Sequence, residues 1–133
     1  YKYKVTKRAT TASQGAVSVV GLTKKGAKAK KLSVASSVKN KKIKYRVTGI
    51  RAKAFKGAKA TSVTLNKNIN KIPSAAFVNC KKLKTLTVPA KLKKVSKGAF
   101  KGCKKKIKVK GASAKVRKAN VKLLKKSGYK KFK

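Results

Sequence analysis

Aspartate, glutamate and histidine do not occur once among the 133 residues, while lysine and arginine number 42, for a formal charge of +42. Ordinary usage, about a quarter charged with both signs represented, would supply roughly 16 acids. The deficit excludes most catalytic chemistry. General acid–base work relies on His, Asp or Glu poised near the working pH, and neither a Ser-His-Asp nor a Cys-His arrangement can be assembled. Calcium and magnesium require carboxylate oxygens, and zinc requires a cluster of Cys, His or carboxylate ligands that two cysteines do not make. A Ser–Lys or Cys–Lys pair survives as a nucleophile and base. With 10 serines and 38 lysines such pairs arise by chance. A non-enzymatic protein without metal or cofactor is therefore expected.

Long apolar runs are also missing, and none approaches the roughly 18 residues of a membrane-spanning helix. Tyr1 opens the chain with neither methionine nor a signal-peptide pattern, as expected of a segment processed or excised from something longer. What is present is 41% apolar residues, enough to build the core of one domain. The charge half of the disorder signature is met and the apolar half is not, because Val, Ile, Leu and Phe are plentiful and periodic.

The period is 22–23 residues. Phe55, Phe77 and Phe100 each follow an alanine, at Ala54, Ala76 and Ala99. Five residues earlier stand Ile50, Ile72 and Val95, and three before those stand Val47, Ile69 and Leu92. Three residues after each Phe comes a small one, Ala58, Cys80 or Cys103. Alternating pairs follow, Val63/Leu65, Leu86/Val88 and Ile107/Val109. A repeat of this length points to a solenoid whose units bury their apolar sides only by stacking. The alternating pairs predict short strands, one per unit, in a parallel sheet. Each Ala-Phe segment predicts a turn or short helical piece closing the far wall.

The flanks are less regular. Leu32 and Val34 occupy strand positions of an earlier unit, interrupted by a hairpin near 38–47 with Asn40 at its turn. Upstream, 1–5 and 16–20 read as strands of an N-terminal cap (1–31), joined by a loop over 9–15. Residues 111–133 read as a helical C-terminal cap and tail. Ser113 is placed as N-cap and Gly128 just past the helix end. Val116, Ala119 and Leu123 form one face, with Asn120 and Leu124 adjacent. Lys122, Lys125 and Lys126 complement the C-terminal end of the helix dipole.

Ile72-Pro73-Ser74-Ala75-Ala76-Phe77-Val78-Asn79-Cys80-Lys81-Lys82-Leu83-Lys84-Thr85-Leu86-Thr87-Val88-Pro89, and its echo from Val95 to Cys103, resembles the leucine-rich repeats of the BspA type found in bacterial and protozoan surface proteins. The likeness runs from about Leu32 to Val109. The glycine that commonly follows the first Ile is replaced by Arg51, Pro73 and Ser96. The resemblance implies an α/β leucine-rich-repeat solenoid with short parallel strands, a β-rich N-terminal cap and a C-terminal capping helix. It also implies an extracellular or cell-surface location.

Candidate functional residues follow from the repeat. Cys80 and Cys103 share one repeat position and stack, either as buried free thiols or, at a spacing of about 5 Å, as a disulfide. The three repeat phenylalanines belong to the core. Tyr1, Tyr3, Tyr45, Tyr129 and Phe132 are left as candidates for base stacking, clustered near the termini and hairpin and not spread along a groove. No helix-turn-helix, zinc-finger, RRM or KH signature is present, so sequence-specific nucleic-acid recognition is not expected. Outward strand positions are Ser62, Thr64, Thr85 and Thr87, becoming Lys106 and Lys108 in the last unit. Lys53, Lys56, Lys59, Lys81, Lys82, Lys101, Lys104 and Lys105 crowd the turns and the opposite wall.

With lysine far above arginine, adhesion to polyanions is expected to be diffuse and salt-dependent, since lysine acts as a point charge where arginine binds phosphate bidentately. Teichoic acid, nucleic acid and acidic glycans all qualify as partners, and an anionic membrane surface is a further one. Charge repulsion favours a monomer. Two alternatives stay open. One is a supercharged, acid-free version of such a repeat with only non-specific polyanion binding. The other is a cationic membrane-active antimicrobial protein.

Overall fold

The computed structural model describes residues 1–8 and 14–133. Four three-residue strands form the central parallel sheet: β3 (Lys31–Ser33), β6 (Ser62–Thr64), β8 (Thr85–Thr87) and β10 (Lys108–Lys110), in the order β10-β8-β6-β3. Leu32, Val63, Leu86 and Val109 stand in register and are all buried. One inward side chain per strand is what alternation requires.

The register corrects the last unit. Val109 stands opposite Leu86 and so is the counterpart of Val63 and Leu86, whereas the sequence pairing set Ile107 in that place. A slip of two residues keeps every side chain on its face, so alternation alone cannot distinguish the two registers. Ile107 is buried for another reason. It forms a parallel bridge with Phe132, and its N–H donates to Lys131 O at 2.7 Å. The chain's last residues thus run along β10 as a further short strand.

Opposite the sheet, residues 51–58, 73–80 and 96–103 form a wall of consecutive tight turns. N–H groups of Ala54, Lys56 and Ala58 donate to carbonyls three residues back, and the next two units repeat the set. Two left-handed residues per unit stop these turns from continuing as helix. They form two columns, Lys53/Ala75/Gly98 and Gly57/Asn79/Gly102, with φ between 55° and 78°. Neighbouring units are also tied directly, Phe55 N–H to Ala76 O at 2.9 Å and Phe77 N–H to Ala99 O at 2.8 Å. The third side carries β7 (Lys71–Ile72) and β9 (Lys94–Val95), paired in parallel.

Between these walls the phenylalanines stack face to face. Phe55–Phe77 and Phe77–Phe100 centroids lie 4.9 and 5.0 Å apart, with ring planes within 8° of parallel. Burying each ring contributes roughly 1.5–3 kcal/mol.

A second sheet, order β1-β2-β5-β4, closes the N-terminal side: β1 (Lys2–Lys7), β2 (Gly15–Gly21), β5 (Ile43–Ile50) and β4 (Ser37–Asn40). β2 and β5 are parallel, while β1 and β4 pair antiparallel at the two edges. The hairpin between β4 and β5 turns on Lys41-Lys42, with Lys41 at φ 54°, and Asn40 is the last strand residue, opposite Ile43. Of the expected 9–15 loop, residues 9–13 lie outside the described residues, and Gly15 already belongs to β2. A short helix α1 (Lys24–Lys28), capped by the Thr23 hydroxyl accepting from Gly26 N–H, has no counterpart in the sequence reading.

Helix α2 (Ala114–Lys125) begins where Ser113 Oγ accepts from Val116 N–H at 3.2 Å, and Gly128 follows its end at φ 91°. Its buried line is Asn120 and Leu124; Val116, Ala119 and Leu123 are half-buried flanks. The sequence set Asn120 beside the apolar face without a role; its amide accepts from Leu92 N–H at 2.8 Å and donates to Ala90 O and Val88 O at 3.0 and 3.4 Å. A buried polar group is stable when so satisfied.

Candidate functional site

All ten lysines singled out in the sequence are exposed: Lys53, Lys56, Lys59, Lys81, Lys82, Lys101, Lys104, Lys105, Lys106 and Lys108. Repeat geometry sets them in ladders. Lys59, Lys81 and Lys104 each follow their phenylalanine by four residues, and Lys82 and Lys105 by five. Lys59, Lys81 and Lys82 converge on one depression of about 350 Å³ floored by Gly57 and Asn79. Lys101 borders a separate one of about 230 Å³, beside Gly98, Gly102 and Tyr129. The structure therefore gathers these lysines in small groups along the turn wall. Two cations 8 Å apart repel by only ~0.5 kcal/mol in water, but no side-chain acid offsets any pair.

The sheet face requires a correction. Register makes Lys108 and Lys110 the outward residues of β10, opposite Thr85 and Thr87; Lys106 precedes the strand. With Lys31 and Ser33 on β3, two ladders cross the face: Lys31-Ser62-Thr85-Lys108 and Ser33-Thr64-Thr87-Lys110. Hydroxyls fill the middle, and lysines stand at both ends of the first ladder.

Of the aromatic candidates, Phe132 is buried and the four tyrosines are half-buried. Tyr1 meets Phe55 edge-on at 6.3 Å and 78°, and Phe132 meets Phe100 edge-on at 5.0 Å and 83°. Tyr3 packs on Tyr1 at 6.1 Å, and Tyr129 on Phe132 at 5.4 Å. Four of the five proposed base-stacking rings thus extend the core column, and Tyr45 is half-buried against the core. Burial, then the neighbouring Tyr3, pushes the Tyr1 hydroxyl up to about 12. Its oxygen is buried with no hydrogen-bond partner among the described residues.

Cys80 and Cys103 are buried free thiols that donate to Phe55 O at 3.0 Å and Phe77 O at 3.2 Å, one repeat apart. A hydrogen bond with Cys103, then burial, holds the Cys80 thiol well above its ordinary range. Neither is placed as a nucleophile.

Sequence reasoning missed a cationic groove of about 590 Å³ between α2, β10 and the final residues. Arg117, Lys118, Lys122 and Lys125 supply one side, Lys108 and Lys133 the other, and Val109 and Val121 are the apolar lining. Its signal was the 117/121/125 and 118/122 spacing, which sets these residues on one helix face; sequence alone reads Lys122 and Lys125 as complementing the helix dipole or as part of a basic amphipathic membrane helix. Among the described residues there is no cluster able to hold a metal ion. No helix among them is long and apolar enough to cross a membrane.

Comparison with known proteins bears on this architecture. No curated protein matches the chain. Two solved structures share its fold. One is a leucine-rich repeat protein from Bacteroides ovatus ATCC 8483, 21% identical with TM-score 0.54 over 84% of this chain and 36% of that one. The other is a leucine rich cell surface protein from Faecalibacterium prausnitzii A2-165, 21% identical with TM-score 0.58 over 80% of this chain and 31% of that one. The chain thus spans about a third of the length of each. The family profile described as BspA type leucine-rich repeat region (6 copies) matches residues 31–132, from the first strand of the parallel sheet to the ring that closes the aromatic column. With most of its length so matched, the chain belongs to the BspA-type leucine-rich repeat family.

Proposed function

We propose that this chain is a non-enzymatic, cell-surface or secreted module, a short solenoid with a cap at each end, that adheres to anionic polymers through a diffuse lysine surface. Teichoic acids, nucleic acids and acidic glycans are the polymers it suits. The observation that carries the reading is the exposure of all ten candidate lysines in a chain without one side-chain acid. A folded core holds those charges at fixed spacing while nothing internal neutralises them, so bound polyanion relieves their mutual repulsion. The surface location rests on the family and on the printed description of the Faecalibacterium protein. Self-repulsion favours a monomer.

The test is retention on immobilised heparin, lipid-free teichoic acid and single-stranded DNA at graded salt. A diffuse surface using 6–10 phosphates loses roughly 10³–10⁵ in affinity between 50 and 200 mM salt, with similar slopes for every polymer. The combined variant Lys59→Gln, Lys81→Gln, Lys82→Gln lowers the slope without changing the order of preference. Affinity that barely changes with salt, or one polymer bound far above the rest, overturns the reading.

A further inference from the structure

The groove under α2 differs in kind from the lysine surface. Elsewhere the cations stand on turns, loops and strands without an apolar-lined groove of this size, and on the sheet face they flank hydroxyls. Here six cations rim a concavity containing Val109, which closes the last repeat, and Val121 from the helix. Much of the remaining wall is the aliphatic stems of Lys118, Lys122 and Lys125, whose charged heads reach the rim while their methylenes line the interior. One of the chain's 4 arginines, Arg117, stands there too. It adds the planar fork that matches phosphate oxygens better than a lysine does.

A second cleft of about 430 Å³ adjoins the groove toward Lys110 and Ser113, and the two share Lys108, Val109 and Arg117. The shared cations mark one end of the groove, and Val121, Lys122 and Lys125 mark the other. The groove is bounded mainly by carbon, whereas the adjoining cleft is bounded about equally by carbon and polar atoms.

We infer that this groove is a discrete binding site for a single-chain anionic amphiphile, a monoalkyl phosphate in chemical class. Its phosphate lies between Lys108 and Arg117, and its alkyl chain lies along Val121 and the lysine stems, over the buried Val109. Size favours this occupant over an acidic peptide. The helical face from Arg117 to Lys125 is only about 12 Å long at 1.5 Å per residue, and the volume falls within the ordinary range for small-molecule sites. Charge complementarity favours it over a neutral lipid, because no side-chain acid in the chain neutralises the rim.

Octyl phosphate is the probe, titrated below its micellar range at about 0.15 M salt to suppress diffuse adhesion. Calorimetry gives affinity and stoichiometry, and methyl NMR reports Val109 and Val121 against Val78 on the turn wall. The site requires one equivalent bound, shifts at Val109 and Val121 but not Val78, and affinity at least about tenfold above inorganic phosphate, the gain from burying even two methylenes. Octyl glucoside does not bind. Arg117→Gln and Val121→Ser each weaken octyl phosphate severalfold, whereas Lys81→Gln with Lys82→Gln leaves it unchanged. Multiple equivalents, equal affinity for inorganic phosphate, or equal loss in the turn-wall variant overturns the site. Loss of the diffuse salt-dependent adhesion with octyl phosphate binding intact would overturn the proposed function alone. Should Val121→Ser unfold the chain, the NMR shifts and Arg117→Gln still decide.

Discussion

The two ends of the phenylalanine column are closed by the same device built from different structure. At the C-terminal end the tail brings Phe132 edge-on to Phe100; at the N-terminal end Tyr1, just before β1, stands edge-on to Phe55. An edge-on ring ends a stack well because its positive rim meets the negative face beneath it. The ends are not equally finished. Phe132 is 4% exposed and carries no polar atom, and the adjacent Tyr129 hydroxyl donates to Lys105 O. Tyr1 is half-buried, and its hydroxyl is enclosed without a partner among the described residues. Each side also uses a buried asparagine to tie backbone. Asn120 holds residues 88–92 to α2, and Asn66 donates to Ala35 O at 2.8 Å and Val47 O at 3.2 Å. Regular repeats supply the column, and individual residues decide how well each end is sealed.

The largest effect that tests this contrast comes from truncating rings, read by urea unfolding at fixed salt. Phe77→Ala, in mid-column, costs about 3–5 kcal/mol. Phe132→Ala costs about 3 kcal/mol and Tyr1→Ala about 1 kcal/mol, because the second ring is half-exposed and its removal also relieves an unpaired hydroxyl. Equal losses at the two ends would erase the asymmetry. Next come the asparagines. Asn120→Ala leaves the Leu92 N–H and two carbonyls without their partner and costs about 2–3 kcal/mol. Asn66→Ala costs less, since Asn66 keeps 8% exposure against 0% for Asn120 and its bonds to Ala35 O and from Asn68 N–H are only part-buried.

These contrasts mark what the sequence made legible. The phenylalanine column and the parallel strands follow from a repeat that places the same residue type at the same point three times. Periodicity carries that information because stacking demands it. The register of β10 was not legible, since a shift of two residues leaves alternation intact, and only the pairing of Lys108 with Thr85 fixes it. The hydrogen-bonding role of Asn120 was not legible, because it depends on carbonyls roughly 30 residues away. The lysine ladders could be read from the repeat. The groove could not, because Lys108 and Arg117 belong to different elements and are brought together only by docking of α2. The roles of Tyr1 and Phe132 were hidden likewise, each being a single residue outside the repeat.

Smaller effects sharpen the contrast at the N-terminal end. Tyr1→Phe keeps the ring and removes the unpartnered oxygen, so it stabilises by about 1 kcal/mol. It also changes the alkaline limb. The Tyr1 pKa, about 12 in the folded chain, lies above its ordinary 10.0. The stability its neutral form contributes is therefore complete below pH 10 and is lost as pH rises through 12. The difference in stability between the wild type and Tyr1→Phe consequently widens from pH 9 to pH 11, while lysine titration, common to both, cancels. A constant difference would mean that the hydroxyl is solvated.

The smallest effect concerns the left-handed columns, which also differ from unit to unit. The last unit has glycine at both positions, Gly98 and Gly102, whereas the earlier units have Lys53 with Gly57 and Ala75 with Asn79. A Cβ in this conformation costs roughly 1–2 kcal/mol, partly offset because glycine adds about 0.4–1 kcal/mol of unfolded-state freedom. Ala75→Gly should therefore stabilise by a few tenths of a kcal/mol to about 1 kcal/mol. The reverse change separates backbone strain from crowding. A Cβ at position 98 meets nothing within 4 Å, whereas one at position 102 runs into the Asn79 carboxamide. Gly98→Ala then reports the strain alone, and Gly102→Ala costs more by whatever Asn79 loses in moving aside. Equal losses at the two sites, in the same urea series, would show that Asn79 swings clear freely and that only φ matters along both columns.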